Sequence, residues 1–371
     1  PEGGGPGRMP QLVQVPNLRR IQYRAGSNPD RQPIETPASK PRATFLEVRT
    51  DEGITGRVPT VTMDMYHVGI VNSMALGEDP MHRERLYQMF QKGTRWVYLK
   101  PGWFGDFDNC LWDIAGKAAN LPVHSLIGKV RDRLPCYLTG GDMDLSGYLN
   151  QIEEGKKFGI NAYKFHTYKG GKADIPIFRE VRDIVGPDYE LLNDPVCSYD
   201  LREAIEVCHV MEELDFIWLE EPLPDRHHED YVNLCRNLNI PVAGAETLMN
   251  EPEISELWLT SGAIDILRVN GRHGTTPILH ASKLAARLGT TVEPNAYGPL
   301  FGIVHAHIDC GIENIGWFEN APPINGAAMG EEIGLLNPIR PIRGWVTPPD
   351  GPGWGSQWDW KRFKSKRIAS L

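Results

Sequence analysis

The chain has 371 residues, of which 41% are apolar, and it carries a formal net charge of −9 at pH 7. This length and apolar content can bury a large core, which excludes a disordered protein and predicts a barrel-sized domain with a smaller partner. The negative charge argues against a nucleic-acid partner, because duplex binding depends on clustered lysine and arginine.

The cysteine spacing and the hydropathy of the sequence indicate the cellular compartment of the protein. The six cysteines lie far apart without a C-x-x-C pair, so neither a zinc knuckle nor a disulfide framework is indicated. No uncharged apolar run approaches the ~20 residues of a membrane span, and the opening PEGGGPGRMPQ lacks the apolar core of a signal peptide. We expect no membrane association, a location in the reducing cytoplasm, and disorder over about the first 12 residues.

The first third of the chain has an α+β pattern. Two β-rich runs, LVQVPNLRRIQYRAG and ATFLEVRTDEGITG, are followed by a helical stretch over residues 62–127. In its last part Leu111, Ile114 and Ala115 recur at helical spacing. These patterns predict an α+β domain over residues 1–129.

Beyond residue 130 short apolar runs alternate with amphipathic helices. The runs are LPCYLTGG, NAYKFHTY, YELLNDP, DFIWLEEP, IPVAGAET, IDILRVN, TTVEPNAYG and IGWFENA. Eight strand-like runs joined by helices predict a (β/α)8 barrel over residues 130–325, with residues 326–371 returning to the first domain. An open doubly wound sheet is the alternative, and the absence of GxGxxG after the first strand disfavours it.

Three successive predicted strands end in an acid at equal spacing. Asp194, Glu220 and Glu246 follow one another at intervals of 26 residues, so each occupies the same place at the C-terminal rim of the barrel. A single acid there is more often a helix cap, but three in register would repel each other without a cation, and Mg²⁺ prefers carboxylate oxygens. In LEEP only one of two adjacent acids can face the interior, and we expect Glu220 to be the ligand and Glu221 a brace.

The stretch YKFH adds two candidate bases to this rim. Lys164 and His166 are two residues apart on one strand, so both face the same side. A rim lysine or a core histidine would be the ordinary explanation for either residue alone. Beside a metal the pair suits proton abstraction next to a carboxylate, with Lys164 holding the enolate oxygen and His166 acting as the base.

Several stretches together resemble the mandelate racemase-like branch of the enolase superfamily. They are CLWDIAGKAANLPVHSLIGKVRDRLPCY, YKFH, LLND, IWLEEPLP, VAGAET and GTTPILHASKLAARLG. The resemblance implies that Asp194, Glu220 and Glu246 bind Mg²⁺ and that Lys164 and His166 carry the acid–base chemistry. It also implies that the first domain caps the barrel, with a lid over residues 20–35 and 50–60, and that the chain forms a homo-oligomer.

The chain departs from the family pattern on the opposite side of the site. Asn295 stands where many relatives have a histidine, and Val269 or Asn270 stands where its aspartate partner is expected. The strand-eight acid of some members maps near Gly316, which leaves Glu319 as a candidate for substrate binding. Because asparagine cannot titrate, two-base racemisation is disfavoured, whereas dehydration needs only His166. Asn295 and Asn270 would then bind substrate hydroxyls.

The substrate class follows from the same features. The substrate needs a carboxylate, and the predicted lid offers polar groups suited to a hydroxylated chain, among them Arg24. The leading prediction is an Mg²⁺-dependent dehydratase of an acid sugar. The alternatives are a cycloisomerase, a one-base epimerase, and a relative that binds metal and carboxylate without catalysis. Three other histidines could replace the proton donor that is missing at position 295, although we expect structural roles for them: His273, His305 and His307.

Overall fold

A computed structural model describes residues 44–60, 63–295, 298–320 and 325–367 of the chain. The strands are β1 (Thr44–Arg49), β2 (Thr55–Thr60), β3 (Leu134–Thr139), β4 (Ala162–Phe165), β5 (Glu190–Asn193), β6 (Phe216–Glu220), β7 (Val242–Gly244), β8 (Ile266–Val269), β9 (Val292–Pro294), β10 (Phe318–Asn320) and β11 (Trp345–Val346). The α-helices are α1 (Met65–Ala75), α2 (Arg83–Val97), α3 (Gly105–Ala119), α4 (Val123–Ile127), α5 (Leu145–Lys157), α6 (Gly171–Val185), α7 (Leu201–Glu213), α8 (His228–Arg236), α9 (Pro252–Thr260), α10 (Thr275–Arg287), α11 (Gly298–Gly311), α12 (Asn325–Ile333) and α13 (Trp360–Lys366). The predicted strand LVQVPNLRRIQYRAG, the lid segment 20–35 and Arg24 lie outside the described residues. Across the described ranges, no helix combines the length and the apolar character needed to cross a bilayer.

Strands β3 to β10 run parallel in chain order around a barrel. Each strand from β3 to β8 pairs with the next, and β10 pairs in parallel with β3. Pairing of the last strand with the first rules out the doubly wound sheet, in which the two edges stay apart. The predicted (β/α)8 barrel with an N-terminal α+β capping domain is confirmed.

The barrel interior changes from apolar to charged toward the carboxyl ends of the strands. One apolar layer contains Tyr137, Ala162, Leu192, Trp218 and Ala243. Side chains alternate along a strand, so residues two positions later face the same interior. On β4, at the end of β5 and on β6 those residues are Lys164, Asp194 and Glu220. The apolar layer therefore forms the floor on which the charged groups rest.

Where β9 meets β10, the barrel closes through the side chain of Glu293 and a backbone hydrogen bond from Val292 to the carbonyl of Asn314 at 3.0 Å, and we call this join the β9–β10 seam. The two strands lie side by side, but these described strands share no ladder of backbone hydrogen bonds. Glu293 of β9 instead accepts backbone N–H groups of Gly316, at 3.1 Å, and of Trp317, at 3.1 Å. Burial raises the pKa of Glu293 to about 7, against the lowering effect of the Arg268 charge and these hydrogen bonds.

The N-terminal domain rests on loops at the rim of the barrel. Strands β1 and β2 form an antiparallel pair, and α3 lies between this pair and the barrel. Asn109 of α3 donates to the carbonyl of Gly271 at 2.6 Å, just beyond β8. Trp354 donates its ring N–H to the carbonyl of Asn109 at 3.0 Å, which ties the C-terminal segment to α3. The domain boundaries at residues 129 and 325 stay predictions.

A buried acid on α6 makes the stability of the fold depend on pH. Burial raises the pKa of Asp174 from 3.8 to about 7, although Tyr199 donates a hydrogen bond to it at 2.7 Å. The folded state thus holds this proton more tightly than the unfolded chain. Its stabilising contribution is complete below about pH 4 and is lost as the pH rises through about 7.

Replacing Asp174 with asparagine should remove this pH dependence. Between pH 5 and pH 8 we expect the variant to gain about 2 kcal/mol in the free energy of unfolding relative to the wild type, because each pH unit contributes at most about 1.4 kcal/mol. Urea titrations at both pH values measure the difference. Asp183→Asn, an exposed position on the same helix, is the control. The prediction would be contradicted if the free energy of unfolding changed by the same amount between pH 5 and pH 8 in Asp174→Asn and in the wild type.

Candidate active site

Lys164 lies at the centre of the charged layer. Its side chain is 0% exposed, and Nζ lies 2.8 Å from Glu220 Oε2 and 3.2 Å from Glu319 Oε1. Asp194 Oδ2 is 3.7 Å from the same nitrogen. Burial alone would lower the pKa of Lys164, but the charges of Glu220 and Glu319 outweigh burial and raise it. Lys164 is therefore a fixed ammonium group inside the barrel.

Arg268 of β8 completes a ring of alternating charges around Lys164. Its Nε lies 2.9 Å from Glu220 Oε1, and Nη2 donates to Glu319 Oε2 at 2.7 Å. Each carboxylate thus uses one oxygen for Lys164 and the other for Arg268. We call Lys164, Glu220, Arg268 and Glu319 the charge ring. All four side chains are at most 3% exposed, so the ring has little contact with solvent.

Two aromatic side chains hold the carboxylates of the charge ring from below. Tyr137 donates to Glu319 Oε2 at 2.8 Å, and Trp218 donates to Glu220 Oε2 at 3.2 Å. Burial would raise the pKa of Glu319, but Lys164 and Arg268 outweigh burial and lower it to about 2. From the sequence, Glu319 is predicted only as a substrate-binding candidate. The structure places it against Lys164.

His166 lies just beyond the end of β4, at the mouth of the barrel. Its Nδ1 is 2.6 Å from the carbonyl oxygen of Gly140, which can only accept, so Nδ1 carries a hydrogen. Nε2 lies 3.1 Å from Asp194 Oδ2, and 20% of the imidazole side chain is exposed. Burial would lower the pKa of His166, but the charge of Asp194 outweighs it and raises the pKa. Nε2 is thus the ring nitrogen that can exchange a proton at the mouth.

Glu246 lies on the other side of the mouth, in a short 3₁₀ helix, Glu246–Leu248, after β7. Ala245 has a left-handed backbone, with φ of 66°, and turns Glu246 toward the interior. Arg272 donates to Glu246 Oε1 at 2.8 Å, and Asn295 donates to Oε2 at 2.6 Å. Burial raises the pKa of Glu246 to about 7 despite the nearby charges of Arg272 and Arg268.

Glu221 joins the two sides of the mouth. Its Oε1 accepts the backbone N–H of Glu246 at 2.9 Å. Burial, and then the charges of Glu246 and Asp194, raise the pKa of Glu221 well above its usual range. The mouth contains five acids and three permanent cations: Asp194, Glu220, Glu221, Glu246 and Glu319 with Lys164, Arg268 and Arg272. Among the described residues, the mouth thus has two more carboxyl groups than permanent cations.

The predicted metal ligands and bases thus lie at one rim of the barrel, but the three carboxylates do not point at one common position. Asp194 and Glu220 both approach Lys164, whereas Glu246 is held by Asn295 and Arg272. Within the described ranges, no three His, Cys, Asp or Glu side chains surround a common metal position. The cations of the mouth occupy part of the carboxylate oxygens instead.

The remaining predicted candidates have separate surroundings. Asn270 and Asn295 contact one another beside Glu246. His305 accepts the backbone N–H of Gly271 at 2.8 Å, and burial lowers its pKa to about 4. His307 lies within 2.9 Å of His124 and is buried. His305 and His307 thus have partners within the packed structure.

A parallel barrel that gathers carboxylates, a lysine and a histidine at its C-terminal rim beneath an α+β capping domain has the design of an enolase-type protein. Residues 148–362, more than half of the chain, match the family described as enolase C-terminal domain-like. Residues 24–128 match the mandelate racemase / muconate lactonizing enzyme N-terminal domain. The chain belongs to the mandelate racemase / muconate lactonizing enzyme family of the enolase superfamily, and the predicted resemblance is confirmed.

Similar proteins include sugar-acid enzymes. L-talarate/galactarate dehydratase of Salmonella typhimurium is 28% identical over 77% of this chain and 72% of its own length. D-galactarolactone cycloisomerase of Agrobacterium fabrum is 26% identical over 84% of this chain and 87% of its own length. The crystal structure of D-glucarate dehydratase from Agrobacterium tumefaciens complexed with magnesium has a TM-score of 0.80 and 29% identity, covering 88% of this chain and 90% of that chain.

Proposed function

We propose that the chain is an Mg²⁺-dependent lyase that dehydrates an acid sugar to a 2-keto-3-deoxy acid. The observation that carries the proposal is the position of His166 Nε2 at the barrel mouth, beside Asp194 and two residues after the buried ammonium of Lys164. The opposite side of the mouth offers Asn295 and Asn270, which cannot transfer a proton. Acid–base chemistry from one side suits elimination of water.

The donor set fits a magnesium ion. Carboxylate oxygens are the ligand type that Mg²⁺ prefers, and after burial the charges of Glu246 and Asp194 contribute to the raised pKa of Glu221, so a cation at the mouth would relieve their repulsion. Asp194, Glu220 and Glu246 would hold the ion, while Glu221 keeps its hydrogen bond to the backbone of Glu246. Bound Mg²⁺ supplies compensation for the negative charge that develops on the substrate carboxylate.

The residues of the chain then divide the chemistry between them. Lys164 stabilises the carboxylate oxygen that gains charge when the α C–H bond breaks. His166 accepts the α-proton at Nε2, and it does so more readily once the charge of Asp194 is compensated. The same imidazolium returns the proton to the β-hydroxyl as the C–O bond breaks and a C=C bond forms. Water leaves, and the resulting enol becomes the 2-keto-3-deoxy acid.

A cycloisomerase is the second candidate, because D-galactarolactone cycloisomerase is among the similar proteins. It would use the same proton abstraction by His166, but it would eliminate the ring oxygen of a lactone instead of a hydroxyl group. Both reactions break a β C–O bond, so the residues at the mouth do not separate them. The substrate decides between them.

The test is a panel of acid sugars and their lactones incubated with the purified protein in D₂O, with and without Mg²⁺. The panel starts with galactarate, L-talarate and D-glucarate, which the names of the similar dehydratases contain. We expect a product that reacts with semicarbazide, formed only with Mg²⁺ and from an acyclic acid. A product formed only from a lactone would favour the cycloisomerase. Binding without turnover or α-deuterium exchange would overturn both enzyme candidates. The homo-oligomer and the cytoplasmic location stay predictions.

A further inference from the structure

Both amide heavy atoms of Asn295 have partners within the protein. Its Oδ1 accepts a hydrogen bond from Asn270 Nδ2, and its own Nδ2 donates to Glu246 Oε2 at 2.6 Å. Asn270 is 0% exposed and stands one residue beyond the end of β8. The two asparagines therefore contact each other and Glu246, and we call them the amide clamp.

The direction of hydrogen bonding through the amide clamp is fixed at both ends. The backbone N–H of Arg272 donates to Asn270 Oδ1 at 3.0 Å, so the other end of that amide, Nδ2, must face Asn295. Asn295 then accepts at Oδ1 and turns its NH₂ group toward Glu246. Turned the other way, Asn270 would place its NH₂ group against the N–H of Arg272, and Asn295 would place its carbonyl oxygen against the Glu246 carboxylate. The chain of donors thus ends at the carboxylate.

Glu246 needs such support because the sheet does not hold it. It lies beyond the last residue of β7 and follows the left-handed Ala245, so its position depends on side-chain partners. Arg272 Nη2 approaches Oε1 at 2.8 Å, and the amide clamp approaches the same carboxylate at Oε2. Both oxygens thus have a fixed direction before any ligand arrives.

We infer that Asn270 and Asn295 are positioning residues that orient Glu246 for the metal, and this inference rests on the proposed function. It replaces the predicted role in which they bind substrate hydroxyls. A neutral pair suits this task. An aspartate at position 270 would add a negative charge beside Glu246, and a histidine at 295 would give its N–H to that aspartate. The Asn–Asn pair instead adds no charge, and its last donor, Asn295 Nδ2, faces Glu246.

The experiment measures Mg²⁺ binding by calorimetry on the full chain without substrate. Asn295→Ala should weaken Mg²⁺ binding by about 10- to 100-fold, the usual effect of losing a partner of a metal ligand. Asn295→Asp should weaken it at least as much, because its charge faces Glu246. Asn270→Ala should have a smaller effect in the same direction. The control is Asn314→Ala, which removes an amide that donates to two backbone carbonyls away from Glu246, and it should bind Mg²⁺ like the wild type.

Two contrary results have different meanings. Wild-type affinity in Asn295→Ala, together with a raised KM for the acid sugar, would overturn the inference and support substrate binding by Asn295. A wild-type chain that binds no Mg²⁺ would instead overturn the metal in the proposed function. Thermal unfolding of each variant shows whether it is folded. If Asn295→Ala does not fold, Asn295→Ser gives the same comparison with less loss of volume.

Discussion

Replacing His166 with asparagine should lower α-proton exchange and keto-acid formation by about 10²- to 10⁴-fold, which is the usual contribution of a positioned acid–base group. The reason is the location of Nε2, 3.1 Å from Asp194 at the mouth, on a side chain whose other nitrogen is held by Gly140. Asparagine keeps a polar side chain of similar reach but cannot take up a proton. Exchange in D₂O, followed by NMR, measures the first step separately from elimination.

The control for this variant is His209→Asn. His209 lies on the outer helix α7 with 56% of its side chain exposed, so its loss should change neither step. Calorimetry should find Mg²⁺ binding retained in His166→Asn, because His166 is not one of the proposed ligands. Exchange at the wild-type rate in His166→Asn would assign the base to another residue.

Replacing Arg268 with methionine should cost about 3–5 kcal/mol of stability, since loss of one partner leaves buried charge uncompensated. Glu220 and Glu319 each direct one oxygen at Arg268, and neither can reach solvent. With Arg268 gone, two carboxylates would share the single charge of Lys164. Chemical denaturation of the purified variant measures the loss.

Two further variants separate the buried charge from a general effect of losing arginine. Arg179→Met removes a surface partner of Glu213, with the two side chains 47% and 60% exposed, and should cost at most about 1 kcal/mol. Adding Glu319→Gln to Arg268→Met restores a neutral ring and should recover part of the stability. Equal losses for Arg268→Met and Arg179→Met would contradict the role of the charge ring. If Arg268→Met does not fold, the double variant serves for the comparison.

The repeat of strand and helix made much of the site predictable. Each βα unit returns the chain to the same rim, so the spacing of 26 residues was enough to place Asp194, Glu220 and Glu246 on one edge. The two-residue alternation of a strand likewise put Lys164 and His166 on one side. These features are periodic, and periodicity survives in the sequence without knowledge of the packing.

Arg268 escaped prediction although a signal was present. It is a charged residue inside the apolar strand Ile266–Val269, and its neighbours in the sequence do not reveal its partners. Those partners come from β6 and β10, 48 and 51 residues away. Glu319 was underrated for a related reason, because comparison with the family pattern pointed to Gly316. Only closure of β10 onto β3 shows that Glu319 faces Lys164.

The amide clamp shows a different limit of sequence reasoning. The residue types at 270 and 295 were enough to exclude proton transfer on that side. They did not reveal that Asn295 contacts Asn270 and Glu246, because the direction of an amide depends on contacts in three dimensions. The different roles of Glu220 and Glu221 likewise depend on three-dimensional contacts. Glu220 contacts Lys164 and Arg268, whereas Glu221 accepts the backbone N–H of Glu246.

The β9–β10 seam has a consequence for redesigning the substrate range. Glu293 and Asn295 are two residues apart, and among the described residues β9 forms a main-chain ladder with β8, whereas Val292 donates a backbone hydrogen bond to Asn314 on the β10 side. On the β10 side, the carboxylate of Glu293 helps to fix the register of β9 relative to β10. A change at position 293 would therefore shift the backbone that carries Asn295. Libraries that vary residue 295 should therefore vary residue 293 together with it.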